Sequence, residues 1–401
     1  MASLAMRKTL RRFFGGVVVC AAAAVSRAVC PQPASDLGAR EAEQLVAEIQ
    51  AEQSRNGPHS ARLVDLLRAL SELYRDTDDR RLATAATERA LEIVRINSGF
   101  ASLDQAPLLR ELLGDDEARG DLASARDREQ ALLALAAKNP QDLRTVPIYR
   151  ELADRKMDLH RRVVAGDYSP EIEPPFSERY VQQSLLGQAW QGYWEAMSVL
   201  RENGLNSSDE LRVLELTIAR SAYEQRGSAG KYPLWNYYEV GRRAYARLLA
   251  DAAAGSRPAA DRAATLVELA DWELLFSHYS SAFKLYETAY AQLEEQMPGD
   301  ASIERLFSPR IPVALPAFEP NPVASNETAG SAGHIDVAFD VDRYGFRGHV
   351  DVVGTSANVS VDEQRSLVQT IERSRFRPRV VDGKLAHRSR VVVRYFVGDA
   401  G

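Results

Sequence analysis

"LVELADWELLFSHYSSAFKLYETAYAQL", residues 266–293, is the stretch on which the reading of this chain turns. Leu266, Leu269 and Ala270 are followed, twelve residues on, by Ala282, Tyr286 and Ala289. The same spacing recurs in "LLRALSELYRDTDDRRLATAATERALEI", residues 66–93, as Leu67, Leu70 and Ser71, then Ala83, Thr87 and Ala90. Two antiparallel helices explain it. Small residues let the second helix approach the first, and the large ones fill the gap.

A looser copy runs through "LLRELLGDDEARGDLASARDREQALLALAAKNP", residues 108–140. There Gly114 is expected at the small position of the first helix. Gly120-Asp121 opens the second, Ala125 and Ala131 give its small face, and Pro140 closes it. The register of these copies resembles a tetratricopeptide repeat. Around them Ala, Leu, Glu and Arg dominate, with Leu63, Leu66, Leu67, Leu70 and Tyr74 at helical spacing. Residues 35–305 therefore read as one tetratricopeptide-like helical repeat domain. Its middle, from Phe176 to about Gly227, has helical periodicity without a repeat signature. The stripe Trp190, Tyr193, Trp194 and Met197 reads as core between helices, with a ligand-binding aromatic groove as the alternative.

Residues 306–333 change character. They hold five prolines and end in small polar residues, which reads as a semi-extended linker. Ile311, Val313, Leu315 and Phe318 are apolar enough for part of it to pack on the helices instead.

From His334 the period becomes two. Ile335, Val337, Phe339 and Val341 alternate with Asp336, Ala338, Asp340 and Asp342. A turn at Asp342–Gly345 leads to a second strand ending near Thr355. Ser360 with Glu363 predicts a capped helix carrying Leu367, Val368 and Ile371, and Ser389–Val397 a last strand. The helix is expected to close at Phe376, ahead of Pro378 and a turn at Asp382-Gly383. Asp342 with Gly345, Phe376 with Pro378, and Gly383 make residues 334–401 similar to the C-terminal domain of TonB-type energy transducers. The fold class expected is thus mostly α, a tetratricopeptide-like array, plus a small C-terminal α+β domain of β-β-α-β order. The resemblance implies a Gram-negative envelope protein whose last strand pairs with an extended segment of a partner protein. The residues it points to are Arg390, Val391, Val392, Val393, Arg394, Tyr395 and Phe396, with Arg375 and Arg377 nearby.

The N-terminus fits an exported protein. Arg7, Lys8, Arg11 and Arg12 precede the uncharged "FFGGVVVCAAAAV" and a small-residue exit. Residues 1–30 therefore read as a signal peptide and place the protein in the periplasm. The apolar run makes roughly 21 Å of helix against a hydrocarbon core of about 30 Å, so cleavage is favoured over anchoring. Membrane association follows only if it stays uncleaved, and the chain would then read as an anchored energy transducer in outer-membrane transport. Its cysteines, Cys20 and Cys30, leave no internal disulfide framework.

No chemistry is legible. The six histidines have no ligand spacing, and no phosphate-binding or nucleophile motif occurs. Asp115-Asp116 reads as solvated surface. No metal, cofactor or catalytic residue is expected, and an enzyme with an unrecognised site near Trp190 and Trp194 is the remaining alternative. The net charge of -6, with about +2 on residues 334–401, gives no reason to expect nucleic acid. The run Arg373, Arg375, Arg377, Arg379 reads as a solvated helix end, its first two members helical. A charged face for peptidoglycan, anionic lipid or an acidic partner is the functional alternative.

Overall fold

The computed structural model describes residues 36–167, 178–206, 208–226, 235–254, 257–316 and 333–397. The signal-peptide reading of residues 1–30 lies outside them, as does the linker from residue 317 to 332. The chain forms two compact units that divide between Asn139 and Pro140, inside the helical region rather than at the linker.

The first unit holds α1 (Asp36–Asn56), α2 (Arg62–Asp76), α3 (Arg80–Ser98), α4 (Ala106–Ala118) and α5 (Leu122–Ala137). α2 pairs with α3 and α4 with α5 as antiparallel hairpins. The expected close approach is there. Ser71 Oγ donates to the Ala83 carbonyl at 3.0 Å and lies 2.7 Å from Thr87 Oγ1, with Ala83 and Ala90 fully buried. Each hairpin turns through one left-handed residue, Asp78 and then Gly120, 42 residues apart, ahead of an N-cap aspartate. That period exceeds the roughly 34 residues of a tetratricopeptide unit. A nineteen-residue α3 and a 3-10 turn at Leu103–Gln105 take up the difference.

The turns correct the third copy by one residue. Asp79 N–H donates to Tyr74 O, and Asp121 N–H to Asp116 O, so Ser71 corresponds to Leu113 and not to Gly114. Leu132, rather than Ala131, faces the partner helix, and both leucines are buried. Gly114 is exposed, with nothing within 4 Å of where a Cβ would stand. The aspartate pair is corrected too: Asp115 and Asp116 are buried, not solvated. Arg75 Nε binds Asp115 at 2.9 Å, while Arg119 and Arg128 hold Asp116. Burial of two adjacent carboxylates is tolerable only with such partners.

The second unit continues with α6 (Val146–Val164) against α7 (Glu178–Glu202), α8 (Asp209–Gln225) against α9 (Tyr237–Ala254), and α10 (Ala259–Leu275) against α11 (Tyr279–Gln296). Trp190, Tyr193 and Met197 are core, as their spacing suggests, and Trp190 Nε1 donates to Ser221 Oγ at 2.9 Å. α12 (Ala301–Phe307) leads into β1 (Ala314–Leu315).

The C-terminal module consists of β2 (Gly333–Asp342), β3 (Arg347–Thr355), α13 (Val361–Arg373), β4 (Arg375–Phe376), β5 (Val380–Val381), β6 (Lys384–Leu385) and β7 (Arg388–Val397). The main sheet is antiparallel in the order β3-β2-β7. Ile335, Val337, Phe339, Val391, Val393 and Tyr395 form its core with Ile371 and Phe376. Both bonds of the Ser360–Glu363 capping box are made.

Three expectations change here. The helix closes at Arg373, because Ser374 is already extended, so Arg375 and Phe376 lie on a strand. That strand pairs with β1, Ala314 opposite Phe376, so the apolar start of the linker is part of the fold. Leu315 and Val313 pack on α10 and α11, whereas Ile311 and Ala314 pack on the module core. The third concerns the arginines. Arg377 and Arg379 are spent on α10 and on the carbonyls of Ser308 and Pro309, not solvated.

Candidate functional site

β7 pairs with β2 over ten residues without a register shift, and on its other side no strand pairs with it among the described residues. Which of its backbone groups face that open side follows from β2. His334 N–H donates to Ser356 Oγ and His334 O accepts from Ser356 N–H, and Asp342 N–H donates to Phe346 O. Both residues thus point their backbone toward β3. Antiparallel strands alternate, so the odd-numbered residues of β2 serve β7. Their register partners are Ser389, Val391, Val393 and Tyr395. The amides and carbonyls of Arg388, Arg390, Val392, Arg394 and Phe396 are left facing the open edge.

The side chains divide the same way. Val391, Val393 and Tyr395 are buried against α13 and the module core, and burial pushes the Tyr395 hydroxyl up to about 12. Val392 is 63% exposed on the opposite face. Beside it Arg394 binds Asp336 at 2.7 and 2.9 Å, which holds the aspartate below the usual carboxylate range. Arg390 lies 3.7 Å from Asp351. Phe396 is half-buried.

The two remaining residues of the sequence-based set lie elsewhere. Arg375 donates to the Tyr344 carbonyl at 2.9 Å and to Tyr279 Oη at 3.2 Å, and stacks over Phe346. Arg377 reaches Asp271 of α10, where Tyr286 also donates. Burial opposes the Arg377 charge, and Asp271 more than offsets it, leaving the guanidinium above its ordinary pKa. These side chains join the module to the α10–α11 hairpin and are not part of the open edge. Sequence reasoning missed Asp271, Tyr279 and Tyr344, their partners, which carry no motif. The one hint is that Asp271 follows the small residue Ala270 of the repeat register.

The fold is therefore a mostly α, helical-hairpin repeat protein with a small α+β module at its C-terminus. No family model matches the chain, and no curated protein matches it. Among solved structures it is similar to BtubC (BKLC) from P. vanneervenii at 15% identity. That match covers 75% of this chain and 99% of the other, with a TM-score of 0.36. A putative kinesin light chain of Podosopora anserina with nearly identical TPR-like repeats, solved as a point variant, is similar at 14%. It covers 59% of this chain and 97% of its own, with a TM-score of 0.34. The C-terminal part of a TPR repeat-containing protein from Cytophaga hutchinsonii is similar at 13%, covering 67% and 94%, with a TM-score of 0.24.

Among the described residues no cluster of His, Cys, Asp and Glu could hold a metal ion. No helix there is long and apolar enough to cross a membrane.

Proposed function

We propose that this chain is a non-enzymatic protein-interaction scaffold of the bacterial cell envelope, whose C-terminal module takes up an extended partner segment by strand addition to β7. The observation that carries this is the row of outward backbone groups from Arg388 to Phe396, on a long, unshifted strand. Such a row is a template for main-chain hydrogen bonds, and the alternating side chains set which segment fits. The TonB-like residues Asp342, Gly345, Phe376, Pro378 and Gly383 support the same role for the module. The basic, apolar, small-residue N-terminus supports export to the periplasm. The helical hairpins serve as the support on which the module is held.

Val392→Pro tests strand addition in the full-length protein. The Val392 N–H faces the open edge, so proline there removes no bond to β2. A photo-crosslinker at Arg390 should capture a partner peptide in the native envelope, and Val392→Pro should abolish capture with unfolding unchanged. Capture that survives in a folded Val392→Pro protein sinks the proposal. Sequencing the mature N-terminus tests the location: a start between residues 24 and 31 supports cleavage, and a retained Met1 favours the anchored reading.

A further inference from the structure

Between α8, α9 and α10 lies a cavity of about 250 Å³, to which Pro316 also contributes a wall. Val213, Leu216, Trp272 and Leu275 make it largely apolar. Trp272 and Tyr245 present tilted rings to each other, 5.9 Å apart. An apolar cavity of about 150 Å³ already admits benzene, so this one has room for a substituted ring.

One tyrosine in the wall can donate a hydrogen bond. Tyr245 is 4% exposed and lines the cavity. Burial, then Glu268 and Asp271, raise its pKa, so it remains an O–H donor. A hydrogen bond from it to a bound acceptor is worth roughly 0.5–1.5 kcal/mol net.

The charges in the wall are already matched. Asp271 is taken by Arg377 and Tyr286. Arg220 binds Glu224 at 2.9 Å. Arg212 meets both oxygens of Glu268, at 2.5 and 2.7 Å, and each oxygen keeps a further acceptor site. Burial nevertheless lifts the Glu268 carboxyl above its ordinary pKa, against the pull of Arg212. A charged ligand would add an unmatched charge to a set that balances, which disfavours it.

We propose that this cavity binds a small uncharged ring compound bearing a carboxamide, whose carbonyl accepts from Tyr245 and whose N–H donates to Glu268. The ring lies against Trp272 and Leu216. The proposal is independent of β7 and holds whether or not that edge captures a strand.

The probes are benzamide, benzoate and benzylammonium, of similar shape and different charge, titrated by NMR into the full-length protein at millimolar concentration. Benzamide should bind saturably and at least tenfold more tightly than either ion. Tyr245→Phe, which keeps the ring, should weaken benzamide about three- to tenfold. Leu216→Trp should abolish binding by filling the space, and Val213→Trp does the same from the rim if the first variant unfolds. Benzamide that fails to saturate, or that binds Tyr245→Phe unchanged, overturns the site. Either ion binding as well as benzamide overturns the ligand class.

Discussion

Arg377 Nε donates to Asp271 Oδ1 at 3.0 Å, and Tyr286 Oη donates to the same oxygen at 2.6 Å. The two charged side chains are only 10% and 7% exposed. One carboxylate on α10 thus ties the C-terminal module to the helical hairpins. Removing its cation leaves a buried charge with a single neutral donor. Arg377→Ala is expected to cost about 3–5 kcal/mol in denaturant unfolding. The double variant Arg377→Met with Asp271→Asn should recover part of that, because it strands no charge. Equal loss in both variants would mean that packing, not charge, dominates.

Two glycines should respond in opposite directions. Gly345 adopts φ +77°, and a Cβ there would stand within van der Waals overlap of the Phe376 carbonyl. Its own carbonyl accepts from Phe376 N–H at 2.9 Å. Gly345→Ala adds about 1–2 kcal/mol of left-handed strain to that clash, so a loss above about 2 kcal/mol is expected. Gly114 sits exposed inside α4 with open space around it. Gly114→Ala should therefore raise stability by about 0.5–1 kcal/mol. Thermal unfolding of both variants checks the pair.

Asp115 and Glu111 share Arg75 but differ in burial. The Asp115 side chain is 1% exposed and that of Glu111 20%. Asp115→Ala leaves Arg75 beside an empty buried position and should cost about 3 kcal/mol or more. Glu111→Ala removes partly solvated pairs to Arg68 and Arg75 and should cost about 1 kcal/mol or less. Comparable losses in urea titrations of the two variants would contradict this ranking.

The Asp336–Arg394 pair makes a pH prediction at the edge of the module. The hydrogen bond from Arg394 depresses the folded carboxyl below its unfolded value. Its stabilisation is therefore complete above the unfolded carboxylate pKa of about 3.9, and fades as pH falls through the folded value. Asp336→Asn should be less stable than the parent at pH 7, by a small margin because the pair is partly solvated. That gap should close in acid. A gap that stays constant down to pH 2 would assign the effect to something other than ionisation.

Much of the architecture was legible because it rests on local periodicity. Leu67, Leu70 and Ser71 against Ala83 and Ala90 need only helical spacing to be recognised, and Ile335–Val341 only a period of two. The one-residue slip at Gly114 shows the limit. A glycine looks small, but the turn hydrogen bonds place Leu113 in the contact, and those depend on where the helix ends. The edge was readable as a last strand. Which of its amides face outward came from His334 and Ser356, far from β7 in sequence.

Local patterns of residues encode the helical hairpins, the β-β-α-β order, the capping box at Ser360 and the turn at Asp382-Gly383. Each follows from residues within a few positions of one another. Tertiary packing alone brings Arg377 to Asp271, pairs Ala314 with Phe376 and leaves a cavity beside Tyr245. Those contacts join residues about sixty to a hundred positions apart or depend on space left between helices. No local pattern encodes such distances, because burial, charge matching and strand pairing are settled only when separate elements pack.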